Sequence, residues 1–121
     1  ASGISPDLSL VVSAAVDGSI WLLTGEGKIL QFTQGAKSAF GVAGLDKPFL
    51  NPSIIYTDSE TDNLYILDKG NNRIVVLAKS GEYQSQYLWE GIAGVSDMVV
   101  SEAEKKILLL SGSKIYEIGL K

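Results

Sequence analysis

An all-β fold of repeated antiparallel sheets is predicted by three features of the sequence. Short apolar runs rich in β-branched and aromatic residues are separated by Gly, Asp, Asn and Ser, which is the signature of strands joined by tight turns. No segment carries the i, i+3, i+4, i+7 spacing of an amphipathic helix over ten or more residues. The pattern also recurs: Ile20, Leu64 and Ile107 open three similar runs and lie 44 and 43 residues apart.

Each repeat reads as a succession of strands. The first runs are Leu10-Val11-Val12, Ile54-Ile55-Tyr56 and Met98-Val99-Val100, and Val11, Ile55 and Met98 keep the spacing of 44 and 43. Residues 19–25, 63–69 and 106–112 supply second strands, and Ile29-Leu30-Gln31-Phe32, Ile74-Val75-Val76-Leu77 and Ile115-Tyr116-Glu117-Ile118 supply third strands. Between them fall Asp17-Gly18, Gly25-Glu26-Gly27, Gly70-Asn71-Asn72, Ser80-Gly81 and Ser111-Gly112-Ser113, residues that tolerate the positive φ of tight hairpins. A more polar fourth strand is expected at 37–42 and again at 83–89, but the third repeat ends directly after its third strand. Four antiparallel strands in about 40–45 residues make the blade of a β-propeller. The expected organisation is one propeller segment of about three blades, at about 9–45, 46–91 and a partial 92–121.

The totals narrow the function. The chain has 121 residues, 45% hydrophobic and 20% charged, with a net charge of −4. Ten basic residues are scattered and Arg73 is the sole arginine, so no basic face is available for nucleic acid. No apolar run approaches the roughly 18 residues of a membrane span, so direct membrane insertion is not expected. There is no cysteine and no histidine, which removes thiolate chemistry, Ser-His couples and common zinc sites. The reading is therefore non-catalytic, with no cofactor.

The middle repeat, Asn63-Leu64-Tyr65-Ile66-Leu67-Asp68-Lys69-Gly70-Asn71-Asn72-Arg73-Ile74-Val75-Val76-Leu77, resembles an NHL repeat: apolar strand, Asp, Gly-Asn turn, Arg, apolar strand. Pro52 falls where that family often has a proline. The flanking repeats depart from it, with Thr24 and Ser111 for the Asp and Lys28 and Lys114 for the Arg. The whole chain is also similar to the C-terminal part of six-bladed propeller domains of uncharacterised bacterial proteins. Some of those resemble proteins with a phosphatase-like domain and a membrane span upstream of the propeller; nothing of a phosphatase is read in this sequence, and the resemblance implies an extracytoplasmic setting.

Three blades cannot circle an axis, since propellers have about 4–8, so the expectation is a head-to-tail homodimer giving six blades, the competing account being a fragment of a longer propeller. Residues 1–7 contain Gly3 and Pro6 and read as a poor outer strand. Candidate sites follow from residue type. Asp68, Asn71 and Arg73 flank one turn and are expected to stabilise it. Asp58, Glu60 and Asp62 alternate like part of a calcium loop, without its glycine or terminal glutamate. Asp97 takes the slot of Leu10 and Ile54 and is a candidate for lining a central channel. Tyr87 and Trp89, on an outer strand, are candidates for an exposed aromatic platform, while Trp21, Tyr65, Tyr56 and Phe32 are expected in the core. The alternatives to a binding scaffold are half of a metal-dependent six-bladed hydrolase, or a carbohydrate-binding propeller.

Overall fold

The computed structural model describes residues 10–120, so residues 1–7 lie outside it. The first sheet contains β1 (Val11–Val16), β2 (Ile20–Thr24), β3 (Ile29–Thr33) and β4 (Ala36–Ser38). The second contains β5 (Pro52–Tyr56), β6 (Asn63–Asp68), β7 (Arg73–Ala78) and β8 (Tyr83–Leu88). The third contains β9 (Asp97–Ser101), β10 (Lys106–Ser111) and β11 (Lys114–Gly119). Strands follow chain order within each sheet, every pairing is antiparallel, and the third sheet has three strands to the others' four.

Strand alternation gives each sheet two apolar faces, and the sheets stack to bury them. Trp21, Leu23 and Ile29 of the first sheet pack against Ile55, Leu64, Ile66, Val75 and Leu77 of the second. The opposite face of the second sheet, with Tyr65, Leu67, Ile74 and Val76, meets Met98, Val100, Ile107 and Leu109 of the third. The middle sheet is thus covered on both sides. The first strands lie on the same side of the stack, β5 touching both β1 and β9.

Two expectations are corrected. The fourth strand of the first sheet is Ala36–Ser38 rather than 37–42. Beyond Ser38 the chain leaves the sheet because its apolar residues serve the joint instead: Phe40 meets the Trp21 ring edge-on at 5.2 Å, and Val42 joins the same cluster. Ala43 then forms a parallel bridge with Glu82. Gly81, at φ +100°, lies so close to the Gly41 carbonyl that no side chain fits there.

The second correction concerns register. Pairing places Ala14, Ile55 and Met98 opposite Leu22, Ile66 and Leu109, so Ala14 and not Val11 is the counterpart of Ile55. By the same rule Ser13, Ile54 and Asp97 stand opposite Leu23, Leu67 and Leu110, so Asp97 shares its slot with Ser13 rather than Leu10. The cause is hairpin length: three residues, 17–19, join β1 to β2, whereas six, 57–62, join β5 to β6. Equal sequence spacing therefore hides a three-residue shift of the first strand.

Candidate functional site

Asp68 ends β6 and Arg73 begins β7, directly opposite it, and both side chains are 0% exposed. Burying two charges is costly unless each is paired and its remaining hydrogen-bonding groups are met. Here they are met. Arg73 Nε donates to Asp68 Oδ2 at 2.8 Å, while its two terminal nitrogens donate to Asp46 Oδ1 at 2.7 Å, Gln86 Oε1 at 3.0 Å and the Lys47 carbonyl at 2.8 Å. Asp68 also accepts from Leu50 N and from Asn71 Nδ2, each at 2.8 Å. Asn71 donates in addition to the Pro48 carbonyl at 3.0 Å.

The structure thus brings Asp68, Asn71 and Arg73 together, and joins them to the segment 46–50 that leads into the second sheet. Gly70 N donates to the Leu50 carbonyl at 2.7 Å, an approach so close that a Cβ on Gly70 would collide with that carbonyl. Asn72 closes the turn in the left-handed region at φ 51°. The Arg73 guanidinium holds the exposed Asp46 carboxyl below its ordinary range.

The corresponding hairpins do the same mechanical job with neutral groups. In the third sheet Ser111 Oγ donates to the Gly94 carbonyl at 3.0 Å, again reaching the segment that leads in. In the first, Thr24 Oγ1 accepts from Lys28 N at 3.0 Å and Gly25 N donates to the Leu10 carbonyl at 3.1 Å. Lys28 and Lys114 are exposed.

Asp58, Glu60 and Asp62 do not assemble into a metal cage. Asp58 Oδ1 accepts from Glu60 N and from Thr61 Oγ1, and its Oδ2 accepts from the Tyr56 hydroxyl at 2.8 Å. Those hydroxyls, Thr61 first, hold the Asp58 carboxyl low, while burial and the Asp58 charge push the Tyr56 phenol up to about 12. Glu60 and Asp62 are exposed. Among the described residues no group of three or more His, Cys, Asp or Glu is placed to hold a metal ion.

Sequence reasoning missed the carboxylates that stitch neighbouring sheets. Glu102, in the β9–β10 hairpin, accepts from Asp62 N at 2.6 Å, Asn63 Nδ2 at 3.1 Å and the Tyr65 hydroxyl at 2.8 Å. Burial and that contact raise the Tyr65 phenol far above its usual value. Asp17, in the β1–β2 hairpin, accepts from Lys79 Nζ at 2.6 Å, Ser19 N at 2.9 Å and Trp21 Nε1 at 2.9 Å. Burial pulls its carboxyl up, but these donors outweigh it and the net displacement is downward. A hairpin rich in charge gives no sign in sequence of partners 40 and 62 residues away.

Tyr87 and Trp89 are half-buried against the cluster between the second and third sheets, so they do not stand out as an exposed platform. β8 ends at Leu88, and the Trp89 ring lies 4.9 Å from that of Tyr116. Together with Gln86, Glu117 and Ile118 they line an open groove of about 500 Å³. Trp21 and Tyr65 are buried, whereas Tyr56 and Phe32 are only partly so.

Asp97 is exposed and its Oδ1 accepts from its neighbour's Met98 N at 2.8 Å. Its side chain belongs to the outward face of the third sheet with Val99, Leu108, Leu110 and Ile115. The outward face of the first sheet carries Val16, Ile20, Leu22, Leu30 and Phe32. Both are apolar and open: Val16 is 63% exposed and Ile115 70%.

No family model matches the chain, and no curated protein matches it. Solved structures do. A candidate 6-phosphogluconolactonase from Bacteroides uniformis superposes over 99% of this chain and 41% of its own, with TM-score 0.67 and 13% identity. Virginiamycin B lyase from Staphylococcus aureus matches over 96% of this chain and 43% of its own, with TM-score 0.61 and 18% identity. BamB from Moraxella catarrhalis matches over 90% and 33%, with TM-score 0.60 and 17% identity. These are β-propeller proteins, and the chain has their fold. It spans less than half the length of each.

Proposed function

We propose that the chain is a non-catalytic propeller scaffold, a rigid binding or assembly module, and that two copies join head to tail into a six-bladed ring. The observation behind this reading is the contrast between sheets. Two sheet-to-sheet joints are buried and continuous, while among the described residues the same kind of face is exposed on either end of the stack. Exposed aliphatic faces of that kind mark association surfaces. A two-fold arrangement closes the ring with a propeller's usual number of blades. The buried ionisable groups Asp68 and Arg73 are consumed in structural pairing, which favours a scaffold over a hydrolase or lyase despite the likeness to a lyase fold. The Asp68-Gly70-Asn71-Arg73 hairpin is read as an NHL-type blade of a bacterial propeller. Native mass spectrometry tests the assembly: a mass of two chains is expected, and a mass of one chain at micromolar concentration overturns it.

A further inference from the structure

The joint between the first and second sheets contains a bond whose pattern extends to the open ends. Ser13 Oγ accepts from the Ile55 backbone N–H at 3.0 Å, linking β1 to β5. That N–H lies on the inner edge of β5, where no further strand of the sheet pairs with it. Its register counterparts are Ala14 on β1 and Met98 on β9, and those of the acceptor Ser13 are Ile54 and Asp97.

Three inner N–H groups thus stand at one level, and an apolar Ile54 can serve none of them. Ser13 satisfies Ile55, and Asp97 uses one oxygen to satisfy Met98 on its own strand. The remaining N–H, that of Ala14, belongs to the sheet that has no neighbouring sheet on its outward side among the described residues. The slot that would face it across a closed ring holds Asp97.

Resting on the two-copy reading above, we infer that Asp97 of each copy latches the ring, its second carboxylate oxygen accepting the Ala14 N–H of the other copy. The bond is the Ser13–Ile55 contact in charged form, and charged acceptors make the shorter, stronger bonds. Charge on the two faces agrees. Lys37, opposite Phe32, lies on the outward face of the first sheet, whose strand positions carry no carboxylate. Asp97 and Glu117 lie on the outward face of the third together with Lys106, whose Nζ is 3.9 Å from the Glu117 carboxylate, so that the strand positions of this face remain net acidic through Asp97. A second copy therefore suits both the apolar centre and the charged margin of this surface, and the joint can form in one direction only.

The test needs no ligand: analytical ultracentrifugation of the full chain as wild type, Asp97→Ala and Asp97→Ser, with circular dichroism to verify that each variant is folded. Asp97→Ala is expected to weaken self-association by about tenfold or more, as loss of a hydrogen bond to a charged group does. Asp97→Ser is expected to recover most of that loss, since serine plays the part at the internal joint. Self-association of Asp97→Ala within about twofold of wild type overturns the latch and leaves the ring standing. A wild type that sediments as a single chain overturns the ring, and the latch with it.

Discussion

Replacing Asp68 by Asn tests the buried ion pair with almost no change of shape. The carboxylate serves three donors, Leu50 N on Oδ1 and both Asn71 Nδ2 and Arg73 Nε on Oδ2. An amide has one oxygen. Turned toward Arg73, it sets its own NH2 against the Leu50 N–H; turned the other way, it sets it against a guanidinium. Either orientation leaves a buried donor unmet, which costs about 1–3 kcal/mol. The opposite charge beside a fully buried guanidinium is lost as well, leaving Asp46, whose side chain is 54% exposed and screened by solvent. Breaking one side of a buried pair costs about 3–5 kcal/mol in total, a large part of the roughly 5–15 kcal/mol that stabilises a domain. With a urea m-value of about 1.5 kcal/mol/M, the midpoint should fall by about 2–3 M at unchanged slope. Tryptophan fluorescence reads the transition from Trp21 in one joint and Trp89 in the other. Asp46→Asn, at an exposed carboxylate, should move the midpoint far less. A loss below about 1 kcal/mol for Asp68→Asn would refute the reasoning, because it would mean that Asp46, Gln86 and the Lys47 carbonyl satisfy Arg73 unaided.

Gly70→Ala should destabilise by about 1–3 kcal/mol through collision with the Leu50 carbonyl, read as a lower melting temperature, whereas Gly35→Ala meets open space and is opposed only by its φ of +82°. Ile115→Asp places a charge on one bare end face and should yield monomers by native mass while leaving the melting temperature of the isolated chain nearly unchanged. Acid should destabilise the fold: Asp17, Asp46 and Asp58 lie below the ordinary 3.8, so the unfolded chain binds protons first. Their contribution is complete above that value and is lost as pH falls through the lower folded values, which urea midpoints between pH 6 and 2 would register as a decline. At the alkaline end Tyr56, pushed from 10.0 to about 12, favours folding below pH 10 and ceases to do so as pH rises toward 12. Tyr56→Phe should flatten that limb.

Much of this architecture was legible because strands two and three of each repeat are continuous apolar runs closed by Gly or Asn turns. Ile66 and Leu67 point to opposite joints, as alternation requires. The register of β1 was not legible, since a hairpin three residues shorter leaves the periodicity of 44 intact while moving every partner. Nor was the short β4: Phe40 and Val42 look like strand residues, and only the neighbouring sheet reveals that they fill a joint. Around Arg73 the pairing with Asp68 is local and visible, but Asp46, Lys47 and Gln86 come from 27, 26 and 13 residues away. Those contacts are set by how two loops fold over one another, which residue spacing does not encode.

The charged knot occurs in the middle unit while its neighbours hold their hairpins with hydroxyls. In a chain of look-alike units this is an address label. The guanidinium takes Asp46 and the Lys47 carbonyl from the segment that precedes the second hairpin, whereas Ser111 reaches its preceding segment with a neutral hydroxyl and Thr24 bonds within its own hairpin. Exchanging the order of the first two units, with 46–50 left in place, would leave Arg73 with Asp68 and Gln86 but without Asp46 and the Lys47 carbonyl, and a shuffled chain of that kind should melt at a lower temperature.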